Sequence, residues 1–313
     1  TIADGVLGFA SEIKSILEYP GYQKKVNEEA LEQYLSFQYS VLPETFFKGI
    51  YRLLPGHYLI YENQQVKTVR YFRPSLEPGE RKSQARLTEE VEMAVRQSVR
   101  RHLVSDVEVG SFLSSGVDSS LITALSGCDK TFTVGFEQEG KLYNEVTYAK
   151  DLADKLEVVN YSRFIGKNEF KEAVPDVMYY LDEPSGDASA VALYFLAQEA
   201  SKEVKVVLSG EGADEIFGGY NIYLEPKALR FVDWIPAVLR RRMADLARRL
   251  PRHMKGRNYL IRASEPLQER YIGNAYIFHP KERRQLLKQR SGSTLEPAEF
   301  LKDAYAGIRE LPD

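Results

Sequence analysis

Two stretches of this chain hold the residue types that phosphate chemistry needs. The first is Ser114-Ser115-Gly116-Val117-Asp118-Ser119-Ser120. The apolar run Val107–Leu113 before it has the content of an inner strand of a parallel sheet. Helical spacing follows, with Val117, Leu121, Ala124 and Leu125 on one face. A strand ending in a small-residue turn at a helix N-terminus leaves backbone N–H groups unpartnered and adds the positive end of the helix dipole, a combination suited to phosphate. The plain alternative is a Ser-rich turn with Asp118 as a helix-start charge. The second stretch is Ser209-Gly210-Glu211-Gly212-Ala213-Asp214-Glu215-Ile216-Phe217-Gly218-Gly219-Tyr220, after the apolar run Glu203–Leu208. It sets Glu211, Asp214 and Glu215 at the carboxyl edge of a strand. Facing a triphosphate, such carboxylates repel it unless Mg²⁺ lies between, and Mg²⁺ prefers one or two carboxylates plus phosphate oxygens. The alternative is a solvated acidic loop.

The intervening elements must position these loops. Thr131–Phe136 reads as a second strand, residues 143–156 as a helix with Ala149, Leu152, Ala153 and Leu156 facing in, and Val158–Ser162 as a third strand. Helical stretches follow at Lys167–Leu181 and Ser189–Ser201. This β-α-β-α-β order predicts an α/β fold built on a doubly wound parallel sheet, with ligands at the carboxyl ends of its strands. Asp182, Glu183 and Asp187 lie in the turn between the two helices. They could line a site, bind a cation or cap the next helix, and capping is the reading favoured for Asp187.

Ahead of the sheet, Val6–Ala10 is strand-like, residues 11–17 form a short helix capped by Ser11, and a helix near 27–35 is capped by Asn27. Residues 57–61 and 65–72 form a hairpin. Pro74–Ser83 reads as a linker, dividing the chain into domains of 1–78 and 79–313. Leu87–Leu103 is an amphipathic helix with Val91, Ala94, Val95, Ser98, Val99 and Leu103 on its apolar side. Residues 237–257 are strongly basic, with Leu239, Met243, Leu246, Ala247 and Leu250 on one helical face, and read as a solvated amphipathic helix.

A net charge of −3 over 313 residues argues against a general nucleic-acid binder. The single cysteine, Cys128, excludes an internal disulfide, and the four histidines form no ligand pattern. With no membrane-length apolar run and no signal peptide, the expected setting is cytoplasmic, with no membrane partner.

The first loop resembles the S-G-G-x-D-S pyrophosphate loop of the ATP pyrophosphatases, with Ser115 where that family usually has Gly. The second resembles the S-G-E-G-x-D-E-x-F-G-G-Y stretch of glutamine-hydrolysing asparagine synthetases nearly letter for letter. Phe9-Ala10-Ser11-Glu12-Ile13-Lys14-Ser15-Ile16-Leu17 and Leu54-Pro55-Gly56-His57-Tyr58-Leu59-Ile60-Tyr61 resemble the closing part of the glutaminase domain of the same enzymes, an Ntn-type fold. The resemblance implies ATP and Mg²⁺ as cofactors, and aspartate with glutamine or ammonia as substrates. A homodimer is compatible with it. It implies that Phe112, Leu113, Ser114, Ser115, Gly116, Asp118, Ser119, Ser120, Val134, Ser209 and Gly210 contact ATP, with Val134 against the adenine. Asp118 and Asp214 are expected to hold Mg²⁺, and Glu211 to be needed for a β-aspartyl adenylate, so Glu211, Asp118 and Asp214 form the expected catalytic set. The family's N-terminal catalytic cysteine has no counterpart before Cys128, and its R-V-P-F-L-D region and two site lysines have none before Asp313. Thr1 is thus expected to be a cut end, the chain is not expected to hydrolyse glutamine, and the family pattern is expected to continue beyond Asp313. Two other readings are a related synthetase adenylating another carboxylate, and an incomplete ATP-binding scaffold.

Overall fold

The computed structural model describes residues 1–313 apart from 4, 42, 75–78, 138–144, 252, 268–270, 272–276, 279, 288–298, 300 and 303–313. Residues 75–78 of the expected linker, residues 143–144 of the expected helix and His279 lie outside the described residues. The chain divides into two compact units, one of residues 1–78, 182–186 and 221–313, the other of 79–181 and 187–220.

The first unit opens with two short antiparallel strands, β1 (Ile2–Ala3) and β2 (Val6–Leu7). Helix α1 (Ile13–Leu17) follows, then α2 (Glu28–Phe37) and a hairpin of β3 (His57–Glu62) and β4 (Gln65–Arg70). Asn27 caps α2 as expected, its Oδ1 accepting from the N–H groups of Glu29 and Ala30 at 3.2 and 3.4 Å. The hairpin turns on Asn63 and Gln64, both with positive φ, as a two-residue turn between right-twisted strands requires. The Ser11 cap does not form. The residue before α1 is Glu12, whose side chain makes no cap bond. The carboxylate of Asp182 instead accepts from Ile13 N at 2.7 Å and Lys14 N at 3.1 Å, and pairs with Lys14 Nζ at 2.9 Å. An ionised carboxylate satisfies two orphan donors where a serine hydroxyl satisfies one, and it meets the positive end of the helix. Glu183 accepts from Phe46 N at 2.7 Å and pairs with Arg52. These two acids are fastenings of the first unit, not the lining of a site.

The second unit carries the sheet. Its elements are α3 (Gln84–His102), β5 (Val109–Phe112), α4 (Val117–Ser126), β6 (Lys130–Phe136), α5 (Glu145–Leu156), β7 (Val159–Ile165), α6 (Lys167–Leu181), α7 (Ser189–Ala200), β8 (Val206–Leu208) and α8 (Ala213–Phe217). The strands run parallel in the order β7-β6-β5-β8, so the chain winds one way from β5 and then returns to β5's other side. This is the doubly wound α/β sheet expected from the sequence. Side chains alternate across it. Val109 and Leu113 pack toward α3, α4 and α5, whereas Phe112, Phe132 and Val134 pack toward α6 and α7. Strand β8 begins three residues later than expected because the N–H groups of Glu203 and Val204 bond back to Ala200 O and prolong the turn after α7. Asp187 Oδ1 accepts from Ser189 N at 2.9 Å, in the first turn of α7.

Buried hydroxyls tie the layers together. Ser111 Oγ meets Thr123 Oγ1 at 2.8 Å, joining β5 to α4. Thr133 Oγ1 donates to Leu113 O at 2.8 Å, and Asn160 Nδ2 donates to Thr131 and Thr133 at 2.9 and 3.0 Å. Each polar group placed in this core has a partner, which removes its desolvation penalty.

The first unit resumes with α9 (Glu225–Leu229), α10 (Ala237–Arg249), α11 (Arg257–Ala263) and α12 (Pro280–Leu286). Helix α10 turns a different face inward than its leucines suggest: Ala244 and Ala247 are buried, while Leu239 and Leu246 are exposed. Helix α11 packs against α10. Among the described residues, no helix is long and apolar enough to cross a membrane.

Cys128 is buried with Val99 and Leu208 between α3, α4 and the sheet, and burial raises its thiol pKa. As the chain's one thiol it reports on this core. In native buffer it should resist an aromatic disulfide reagent, and one equivalent should react after urea unfolding. Rapid native reaction would show that the α3–α4 layer is open.

Candidate active site

Both loops end at the carboxyl edge of adjacent parallel strands. Strands β5 and β8 pair with Val109 opposite Val206, Gly110 opposite Val207 and Ser111 opposite Leu208, so residues 113–119 and 209–215 leave the sheet side by side. They come close together at Gly210. A Cβ there would stand 2.8 Å from Ser119 N and 3.0 Å from Asp118 C, both rigid backbone atoms. Only glycine fits without moving one loop.

The first loop is braced by its own hydroxyls. Ser119 Oγ accepts from Ser114 N at 3.1 Å, meets Ser114 Oγ at 2.8 Å and donates to Gly116 O at 3.2 Å. Ser114 Oγ accepts from Gly116 N at 3.1 Å. Two of the backbone donors expected to face phosphate are therefore engaged inside the loop. The N–H groups of Val117, Asp118 and Ser119 lie in the first turn of α4, where the helix offers no acceptor. Neither loop residue at the turn needs a left-handed backbone: Gly116 has φ −74°, and Ser115 is not among the residues with positive φ. Serine at 115 is thus unstrained.

In the second loop, the N–H of Glu211 donates to Ser209 Oγ at 3.1 Å, and Tyr220 OH donates to Glu215 Oε1 at 2.9 Å. The Asp214 carboxylate folds back over the α-carbon of Gly219, occupying the space that a side chain there would fill.

A cleft of about 260 Å³ opens between the loops. The first loop lines it with Phe112, Leu113, Ser114, Gly116, Asp118 and Ser119. The second contributes Ser209, Gly210, Glu211 and Asp214, and β6 contributes Val134. Sequence reasoning had singled out all of these. Ser115 and Ser120 do not line the cleft. Ser115 is exposed, and Ser120 Oγ donates to Gly116 O at 2.7 Å. The rest of the lining is Glu215, the third of the expected carboxylates, with Gly212, Ala213 and Tyr220 of the same loop, Leu193 and Leu196 from α7, and Glu145 from α5, none of which was expected at the site. The i, i+3 spacing of the two leucines marks one helix face, but α7 is apolar nearly all round, which hides the pattern.

The lining has two characters. Phe112, Val134, Leu193 and Leu196 make an apolar wall suited to a planar ring. Toward the loops stand hydroxyls, first-turn N–H groups and the acids Asp118, Glu211, Asp214 and Glu215, and among the described lining residues there is no Lys, Arg or His. Glu145 is a further carboxylate, from a separate element.

Fold and cleft together define a doubly wound α/β protein whose cleft lies outside the carboxyl ends of its strands, where the winding reverses. Residues 90–303 match the family model for asparagine synthase, and residues 1–72 match one for a glutamine amidotransferase domain. Asparagine synthetase [glutamine-hydrolyzing] 1 of Bacillus subtilis (strain 168) is 42% identical over 293 residues, covering 92% of this chain and 46% of that protein. A Mycobacterium tuberculosis (strain ATCC 25618 / H37Rv) relative is 40% identical over 299 residues, covering 91% of this chain and 46% of its own. A Penicillium rubens protein named amidase chyE is 28% identical over 246 residues, covering 71% and 36%. The chain belongs to the asparagine synthase family. It spans about half the length of the curated relatives it matches most strongly.

The Gly210 contact can be tested directly. Gly210→Ala should cost about 1–3 kcal/mol in urea denaturation, because backbone on both sides must shift. Gly127→Ala, where nothing lies within 4 Å but φ is +63°, supplies a strain-only comparison. An unaltered midpoint for Gly210→Ala would show that the loops are not in contact.

Proposed function

We propose that the cleft of the second unit binds Mg·ATP and activates a carboxylate as its adenylate. In the whole protein, the carboxylate would be the side chain of aspartate and the product asparagine. The observation that carries this reading is the lining itself, which joins apolar side chains from β5, β6 and α7 to phosphate-type donors and acids from the two loops. Family membership adds the reaction class.

The acids bear on the cation. Asp118, Glu211, Asp214 and Glu215 with no basic side chain among the described lining residues would repel a triphosphate on their own. Among the described residues, no group of three or more ligand-type side chains could hold a metal unaided. That donor set fits Mg²⁺, which takes one or two carboxylates and draws the rest of its shell from phosphate oxygens and water. Asp118 and Asp214 are the residues proposed to hold it. When bound it would neutralise phosphate charge.

The chain's own residues then act by placement. The apolar wall would seat adenine against Val134. First-turn N–H groups of α4, with the hydroxyls of Ser114 and Ser119, would orient the pyrophosphate end, and Ser209 and Gly210 would adjoin the nucleotide. A carboxylate oxygen of aspartate attacks the α-phosphorus, the bond to the bridging oxygen breaks, and pyrophosphate leaves. Ammonia then attacks the acyl carbon, AMP leaves, and the amide nitrogen loses a proton. Glu211 is proposed to act in the first step. No side-chain nucleophile takes part, so positioning and charge placement carry the catalysis.

Residues 1–78 are proposed as part of a glutaminase domain and residues 79–313 as the synthetase part, with glutamine as the source of ammonia. A cytoplasmic setting and a homodimer belong to the same proposal. A synthetase acting on another carboxylate is the second reading.

ATP–[³²P]pyrophosphate exchange on a polypeptide of the relatives' full length, with and without L-aspartate, tests both. Exchange that depends on aspartate supports the first reading. Exchange restored only by other carboxylates supports the second. Asp118→Ala should weaken Mg·ATP binding by about tenfold or more by calorimetry, and unchanged binding would remove Asp118 from the site. Glu211→Gln should keep Mg·ATP binding yet slow exchange by about 100-fold or more, and full exchange would refute its assignment.

A further inference from the structure

Glu145 lines the cleft but belongs to neither loop. It is the first residue of α5, and a close contact sets its position. A Cβ on Gly135 would stand 2.8 Å from Val146 Cγ2, so glycine at 135 lets the first turn of α5 close on the carboxyl end of β6. Val146 is buried there. Gly135 directly follows Val134, which forms part of the apolar wall. The contact therefore brings the start of α5, and Glu145 with it, to the carboxyl end of β6, the strand that supplies Val134 to the lining.

A carboxylate there accepts hydrogen bonds and repels phosphate. Between a base stacked on the wall and phosphates at the loops stands the sugar, whose adjacent hydroxyls are neutral donors. Two carboxylate oxygens match two vicinal O–H groups, and an acidic side chain on the ribose hydroxyls is the recurrent solution in doubly wound nucleotide sites. We infer that Glu145 is a specificity-determining residue that accepts hydrogen bonds from the ribose hydroxyls and selects ribonucleotides over deoxynucleotides. The inference rests on the reading of the cleft as an ATP site.

Calorimetric titration of the chain and of Glu145→Gln with Mg·ATP, Mg·2′-deoxy-ATP, Mg·3′-deoxy-ATP and Mg·ITP separates the outcomes. The unmodified chain should bind ATP about fivefold to tenfold more tightly than at least one deoxy analogue. Glu145→Gln should lose most of that preference by weakening ATP while leaving the affected deoxy analogue nearly unchanged. Its ATP-to-ITP ratio should stay the same. A preference for ribose that survives the substitution overturns the assignment, as does equal weakening of all four nucleotides. A change confined to the ATP-to-ITP ratio would move Glu145 from the sugar to the base and also overturn it. If the unmodified chain binds none of the four, the ATP reading of the cleft fails and takes the assignment with it. That result is distinct from nucleotide binding without ribose discrimination.

Discussion

The site depends on one backbone-to-backbone approach, Gly210 against Asp118 and Ser119. Parallel pairing of β5 with β8 aligns the two strand ends, but alignment alone leaves the following loops free to diverge. The missing side chain at 210 lets the start of the acidic loop lie on the first turn of α4. Donors of one loop and acids of the other then share a single cleft. Because protein interiors deform poorly, one added methyl at this point acts on both loops together.

The acids in the cleft differ in how they are held. Asp118 stands in the first turn of a helix, where the dipole favours its charge. Asp214 is folded against a glycine, so its position depends on there being no side chain at 219. Glu215 is fixed by a tyrosine hydroxyl, and Glu145 is placed by the packing of α5 on β6. These separate supports hold neighbouring carboxylates independently, because the position of each one is set by the element it comes from.

Much of the sheet was legible in the sequence because its signals are local. Buried strands rich in valine and phenylalanine, glycine punctuation and helical spacing marked out the doubly wound parallel sheet and the two loops at its carboxyl edge. The Asn27 cap was legible for the same reason, since donor and acceptor lie within three residues. What escaped was set by tertiary contact. Ser11 was the local candidate to cap α1, but Asp182 takes that role from 169 residues away along the chain. The acids at 182 and 183 looked like possible site residues because the sequence does not show that the amides of Ile13, Lys14 and Phe46 consume them. In α10 the expected face keeps Ala247 buried, but Leu239 and Leu246 are exposed and Ala244, not on that face, is buried. Glu145 and the α7 leucines reach the cleft through the placement of whole helices, which no short motif records.

The serine at 115 shows how constraint is distributed between the loops. Glycine is favoured where φ turns positive and demanded where another atom occupies the side-chain space. Neither holds at 115, whose backbone stays out of the left-handed region and whose side chain is exposed. Both loops carry glycine, but the steric demand falls at 210, where backbone meets backbone, and at 219, where the Asp214 carboxylate takes the space. The hydroxyls of the first loop mainly brace its shape, Ser119 to Ser114 and Ser120 to Gly116. A phosphate arriving there would have to replace part of that bracing with its own oxygens, so binding and reorganisation of the loop are one event.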